Sequence, residues 1–479
     1  MARLTGATPV WRIHGRQRVR AVAALVAGRL AAFVSRLVGH GGSSLPGVVA
    51  RRVDPDLLRK LGGGLAGGAL LITGTNGKTT SSLLVEHILS AAGLRVVRNR
   101  SGANLIVGLT ATLMRAARMS LSIGADWAVL ETDEASIPRA VDEIQPHLLA
   151  VTNFFRDQLD RYGELSTAVS LVSRGATALP EGAILVLNAD DPHAASLGRN
   201  ARGLVVYFGL DASALAADVG AETLDARFCP LCGDELTYSL RFYAHLGHFI
   251  CPGCGFARPN ATVEAVDVSS AGTAERQVEL RVAGVPLEVT ISLPGTYNIY
   301  NAVLAVAVGH ALAVDPVFVA EGLRNSRGAF GRMETVSFRG RELRLALVKN
   351  PTGFNQVLRA VAEDPRPKVI MMAINDRYAD GRDVSWLWDV DLETLAPAMG
   401  AVRWVAAGTR GADMAVRLKY AGIRPELIRT AGPKADDALE VLVEESVPPL
   451  CYVLPTYTAM MELRGALERQ GLVSSFIEG

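Results

Sequence analysis

A chain of 479 residues has room for two or three domains, and its 49% hydrophobic and 20% charged residues exclude wholesale disorder. Lys+Arg total 49 and Asp+Glu 48, a balance that leaves no bulk attraction for nucleic acid. Of the 5 cysteines, Cys229, Cys232, Cys251 and Cys254 fall in one stretch and Cys451 stands apart. In a long chain with no evident cleavage site, that pattern reads as a metal site in a cytoplasmic protein, not as a disulfide framework.

Residues 1–54 read as a helical segment and linker. The stretch 17–39 is apolar and helix-forming, but Arg29 and Arg36 break it too often for it to cross a bilayer. Two readings stay open. One is an amphipathic helix packed on the next domain. The other is a helix resting on anionic lipid at the inner face of the membrane, helped by Arg12, Arg16, Arg18 and Arg20.

From residue 69 the pattern becomes strand, turn, helix, repeated. "ALLITG", "WAVLETDEA", "HLLAVTNFF" and "AILVLNADDP" each run from an apolar strand into polar residues at its C-terminal end. Ligands of parallel α/β sheets bind outside those ends. The first strand feeds "GTNGKTT", a shortened phosphate-binding loop: the glycine of the full pattern is replaced by Ile72. Gly74 and Gly77 allow the tight turn, and Thr75, Asn76 and Thr80 in the same stretch are candidate nucleotide-binding residues. Lys78 suits the β/γ charge of ATP, the Thr79 hydroxyl suits Mg²⁺, and Glu131 at a strand end suits the same ion. One of Asp133 and Glu134 reads as a helix cap or first-turn acid.

Residues 222–260 interrupt the rhythm. Cys229-Pro-Leu-Cys232 and Cys251-Pro-Gly-Cys254 have the spacing of a zinc ribbon, and four thiolates leave no open coordination position, so the Zn²⁺ is expected to be structural. His245 and His248 read as ribbon or surface residues rather than ligands. Strands resume near 277–293, and a helix follows over "GTYNIYNAVLAVAVGHAL". A second α/β run begins near 335, with strands at "RLALVK", "KVIMMAI", "VRWVAAG" and "LCYVLP".

The order of "TGTNGKTT", "ETDEA", "TNFFRDQLDRYGE", "NADDP" and "YNIYNAVLA" resembles that of Mur ligases and folylpolyglutamate synthases. The Cys₄ insertion, "LVKNPTGFNQVL" and "NDRYADGRDVSWLWD" narrow the resemblance to the MurT family. It implies an α/β Mur-ligase-type P-loop central domain (55–334) with an inserted Cys₄ zinc ribbon, then a Rossmann-like α/β C-terminal domain (335–479). It also implies ATP-dependent amidation of the D-glutamate α-carboxylate in the lipid II stem peptide, through an acyl phosphate. Ammonia would come from a GatD-like glutaminase docked on the C-terminal domain.

On the same resemblance, Asn188, Asp190 and Asp191 lie near the nucleotide, Asn301 near adenine, and Arg332 reaches phosphate or ribose. Asp383 would orient the partner's catalytic imidazole. Two departures stand out. Gln158 replaces a metal-binding histidine, and no lysine occurs between Lys78 and Lys349 to form a carbamate. The alternatives are a ligase that adds amino acids on its own and a non-catalytic ATP-binding zinc-ribbon scaffold.

Overall fold

The computed structural model describes residues 15–37, 44–99, 102–156, 165–215, 225–270, 275–326, 332–444 and 448–473. The central unit is built on a sheet of nine strands: β1 (Gly68–Thr73), β2 (Val96–Arg98), β3 (Trp127–Glu131), β4 (Leu148–Val151), β5 (Ile184–Asn188), β6 (Val205–Leu210), β9 (Val263–Ser270), β10 (Arg276–Val282) and β11 (Val285–Ile291). Their order is β11-β10-β9-β6-β5-β4-β1-β3-β2. The pairs from β2 to β9 are parallel, and β9-β10-β11 close the edge as an antiparallel meander. Every residue of β1, β3 and β4 is buried, as continuous apolar runs covered on both faces require.

β7 (Thr237–Tyr243) and β8 (Leu246–Ile250) form a separate antiparallel hairpin within the cysteine-bearing insertion. The second sheet has the order β12-β13-β17-β14-β15-β16, from β12 (Arg332–Phe338), β13 (Arg341–Ala346), β14 (Lys368–Ala373), β15 (Ala401–Ala407), β16 (Ile428–Thr430) and β17 (Leu450–Pro455). Only the β12–β13 pair is antiparallel. The fold is therefore the mixed α/β arrangement expected from the repeated strand-to-helix pattern.

Helix α1 (Gly15–Leu37) packs Ala21, Ala24 and Leu25 into the same core as Leu109 and Met114, and lies on α2 (Leu45–Val53), which the short α3 (Leu57–Gly62) follows. The small side of α1 fits closely: a Cβ at Gly28 would meet the Met114 sulfur at 2.3 Å. Its other side leaves Val19, Val26, Leu30, Phe33 and Val34 exposed. Among the described residues no helix is long and apolar enough to cross a membrane.

Candidate nucleotide site and its surroundings

The loop after β1 is shaped by close approach. Gly74 (φ +118°) faces the carbonyl of Asn153, and a Cβ there would lie 2.3 Å from Thr152 Oγ1. Gly77 (φ +87°) starts α4 (Lys78–Ala91), and a Cβ there would lie 2.1 Å from Asn301 Oδ1. Both positions also have left-handed backbone, which glycine adopts without strain. Asn153 ties the loop from the neighbouring strand end: its Oδ1 accepts from Asn76 N–H (3.0 Å) and its Nδ2 donates to Asn76 O (3.2 Å). Thr75 Oγ1 donates to Phe155 O (3.2 Å) and accepts from Phe155 N–H (3.0 Å).

Lys78 sits at the first position of α4, where unpaired N–H groups and the helix dipole favour anions. Its ammonium donates to Gly74 O and forms an ion pair with Glu134 Oε1 at 3.2 Å, both side chains nearly buried. Burial pushes the Glu134 carboxyl above its ordinary value, against the pull of Lys78. Thr79 Oγ1 donates to Glu131 Oε2 at 2.7 Å. Asn99 fixes the end of that strand by pairing with both the N–H and the carbonyl of Glu131, each at 2.8 Å. Asp133 caps the short turn Glu134–Ser136 by accepting from Ala135 N–H. A hydroxyl and a carboxylate side by side at the start of α4 form an oxygen donor set that suits Mg²⁺ in character.

A cleft opens beside this loop, lined from the central unit by Asn76, Gly77, Asn153, Tyr243, Tyr297 and Asn301. Its other wall comes from the C-terminal unit: Leu347, Lys349, Thr352, Gly353, Gln356 and Val357. Asn350 joins the walls, donating to Asn76 Oδ1 at 3.1 Å and capping the helix Pro351–Ala362 through Gly353 N–H at 2.8 Å. Arg276 on β10 pairs with Glu363 after that helix, a second tie between the units.

The other anticipated residues separate into groups. Asn301 lines the cleft and is held by Asn298 and Ser81. Asn188 is buried, donates to Thr152 O and accepts from Asp190 N–H, so it braces the loops under the site. Asp190 is fully buried and accepts from Leu210 N–H, Arg258 Nε and Tyr300 hydroxyl. Asp191 caps the helix Pro192–Leu197 and accepts from Phe154 N–H at 2.6 Å. Arg332 begins β12, while its side chain and all of Gln158 lie outside the described residues. Of the ribbon and surface readings of His245 the ribbon one holds: it sits in the β7–β8 turn, completely buried, 4.7 Å from the Phe155 ring and 3.6 Å from Asp191.

The four cysteines converge. Their Sγ atoms all lie within 4.8 Å of one another, with Cys229–Cys254 at 3.6 Å and Cys232–Cys251 at 3.4 Å. A tetrahedron of about 2.3 Å Zn–S bonds has S···S edges of about 3.8 Å, so the cluster fits Zn²⁺ in donor type and dimension. Gly233 and Gly255, both left-handed, close the two knuckles by donating to Cys229 O and Cys251 O. Phe249, Phe256, Leu236 and Ala195 form a small core around Cys229 and Cys251.

In the C-terminal unit Asn375 and Asp380 are buried and hold the strand ends together through Thr409, Thr456 and Thr458. Asp383 is exposed, and the Ser385 N–H it accepts (2.8 Å) holds its carboxyl below the usual value. Trp386 packs on Phe354, whereas Trp388 is half-exposed between Tyr420 and the Arg417 guanidinium. Cys451 is fully buried in β17, where burial pushes its thiol up to about 11.

Asn153 and the Lys349–Gln356 wall belong to stretches already distinctive in the sequence, but their approach to the loop after β1 is a tertiary fact. Nothing in the sequence singles out Tyr243.

The family model described as Mur ligase middle domain matches residues 72–244, and that described as MurT ligase C-terminal matches residues 347–460. The chain is 36% identical over 455 residues to the MurT subunit of lipid II isoglutaminyl synthase from Streptococcus pneumoniae, covering 94% of this chain and 97% of the relative. It is also 36% identical over 401 residues to the MurT subunit of Staphylococcus aureus, covering 84% and 88%. Among solved structures, a pseudomurein peptide ligase type C from Methanothermus fervidus aligns with a TM-score of 0.64 at 23% identity, covering 84% of this chain and 78% of that one. MurF from Acinetobacter baumannii aligns with a TM-score of 0.63 at 17% identity, covering 88% and 81%. The structural likenesses speak to the fold alone; the near full-length sequence match, with the two family models on the two sheets, shows that the chain belongs to the MurT family of the Mur ligases.

Proposed function

We propose that this chain is the ligase subunit of a lipid II isoglutaminyl synthase. It would amidate the α-carboxylate of D-glutamate in the lipid II stem peptide with ammonia from a GatD-like glutaminase. The reading rests on the cleft: Asn76 and Gly77 of the loop that leads into Lys78 line one wall, and the Lys349–Gln356 segment closes the other. Such a cleft holds ATP between two domains and excludes water from a reactive intermediate.

Lys78 and the N–H groups at the start of α4 would balance the β/γ-phosphate charge, and Lys349 would approach from the opposite wall. Thr79 and Glu131 would hold Mg²⁺, which neutralises charge on the phosphates when bound. Held in line, a substrate carboxylate oxygen attacks the γ-phosphorus, and the bond to the ADP oxygen breaks. Ammonia then attacks the acyl carbon of the acyl phosphate, the bond from that carbon to the phosphate oxygen breaks, and a proton from the nitrogen passes to the departing inorganic phosphate.

The chain's own residues argue for a separate nitrogen source. A glutaminase needs an accessible thiolate beside a histidine. Four thiols converge in the ribbon, and Cys451 is buried with a raised pKa. Asp383 is exposed in a segment flanked by the half-exposed Trp388, which suits a group offered to a partner's imidazole.

The test uses the purified chain with its cognate glutaminase, a lipid-linked muropeptide and ¹⁵N-amide glutamine. The expected result is ADP release matched by ¹⁵N in the product amide. ADP release driven by a free amino acid in place of glutamine or ammonia would favour an amino-acid-adding ligase. Absence of turnover by the complex would favour a nucleotide-binding scaffold.

A specific observation supports peripheral contact with lipid. The outward side of α1 exposes Leu30 and Phe33 (59% each) with Val19, Val26 and Val34, while the helix sequence contains arginines and no acidic residue. An apolar stripe with only positive charge suits an anionic bilayer surface.

A further inference from the structure

The sequence between the two cysteine pairs folds as the β7–β8 hairpin. Cys229 and Cys232 precede β7, and Cys251 and Cys254 follow β8, so the cluster closes the hairpin's open end. The ladder runs from Thr237↔Ile250 to Tyr243↔Leu246. At about 3.4 Å per residue its tip lies about 20 Å from the cysteines.

That tip does not face solvent. Phe242, Tyr243, Ala244 and Leu246 are buried in the main core of the central unit, and His245 is buried against the Phe155 ring. Tyr243 stacks on Phe155 with ring centroids 5.9 Å apart and meets Tyr300 edge-on at 5.6 Å. Phe155 is the residue whose backbone exchanges two hydrogen bonds with Thr75 of the phosphate-binding loop. Gly247 N–H donates to Asp190 O, and His248 Nε2 contacts Leu210 O at 2.8 Å, which fix the hairpin's depth. Tyr243 also lines the cleft together with Asn76, Gly77 and Asn301. Tyr243 therefore both packs on the support of the loop and belongs to the wall of the space beside it.

We propose that the Cys₄ unit builds part of the nucleotide site: Tyr243, held in the cleft wall by the hairpin that the cysteines clamp, positions the bound nucleotide. The proposal rests on the reading of this cleft as the ATP site. It makes the ribbon more than a local staple, because ordering at the cysteines and occupancy of the cleft then share one rigid element. Coupling of that kind is reciprocal: nucleotide must strengthen retention of the ion by the factor by which the ion strengthens nucleotide binding.

The experiment uses the full chain loaded with zinc and a fluorescent Mg²⁺-ADP analogue. Tyr243→Ala is expected to weaken binding about tenfold, the scale of a lost aromatic contact, while bound zinc stays at the wild-type level. Tyr243→Phe, which keeps the ring, is expected to bind within about twofold of wild type. Saturating nucleotide is expected to slow mercurial-driven zinc release several-fold in wild type and not in Tyr243→Ala. Lys78→Ala serves as the reference for the ATP reading. If Lys78→Ala loses binding while Tyr243→Ala binds as wild type and nucleotide leaves zinc release unchanged, the role of Tyr243 is overturned and the ATP site stands. If Lys78→Ala binds as tightly as wild type, the ATP reading of the cleft falls, and this proposal with it.

Discussion

Replacing Lys78 by methionine removes one member of a nearly buried ion pair and leaves Glu134 with only the weaker pull of Lys349. Breaking such a pair costs about 3–5 kcal/mol when the remaining charge persists. Glu134 has an escape, because burial already raises its pKa and it can take up a proton. The penalty is then capped by the work of protonation, about 1.36 kcal/mol for each pH unit above its ordinary value of 4.5. The cap is about 4 kcal/mol at about pH 7.5 and about 1.4 kcal/mol at about pH 5.5. The sign follows from linkage. A carboxyl with a raised folded pKa binds more protons folded than unfolded, so stability falls as pH rises. Lys78→Met is therefore expected to be destabilised by about 3 kcal/mol at the higher pH and about 1 kcal/mol at the lower. Urea unfolding followed by tryptophan fluorescence measures both. Lys78→Met/Glu134→Gln should recover most of the stability at both pH values yet show no ATP turnover, since the charge proposed to face phosphate is still missing. A deficit independent of pH, or one the double variant does not recover, would refute the assignment of this pair.

Gly77→Ala places a Cβ 2.1 Å from Asn301 Oδ1 on a left-handed backbone; we expect a loss of about 1–2 kcal/mol from the conformation alone and near-abolition of nucleotide binding, read by calorimetric titration. Asp383→Asn is expected to leave assembly with the glutaminase and ammonia-driven amidation intact while glutamine-driven amidation drops at least about a hundredfold, the scale of losing an orienting acid. Failure of added ammonium to rescue that variant would contradict the role of Asp383. Leu30→Glu/Phe33→Glu on the exposed side of α1 should reduce co-sedimentation with anionic vesicles about tenfold or more, with the melting temperature unchanged because both side chains are more than half exposed. Equal sedimentation of wild type and variant would remove the lipid reading of α1.

Short-range pattern in the chain encodes most of the elements and nominates the residues beside the first turn. Apolar runs such as Gly68–Thr73 and Lys368–Ala373 are buried at every position, and their continuity announces a sheet covered on both faces. Lys78 and Thr79 follow the glycine turn by covalent necessity, and two C-x-x-C pairs lie close enough in the chain to fold onto one ion. Tertiary structure decided what depends on residues far apart meeting. It set Asn350 against Asn76 across 274 positions, brought Lys349 into the cleft beside the loop after β1, buried His245, and packed the hairpin tip against Phe155. It also gave Asn188, Asp190 and Asp191 internal partners that their sequence context does not reveal. The physical reason is range. Periodicity and turn chemistry act over a few residues, whereas the partner that satisfies a buried polar group is chosen by how whole elements pack.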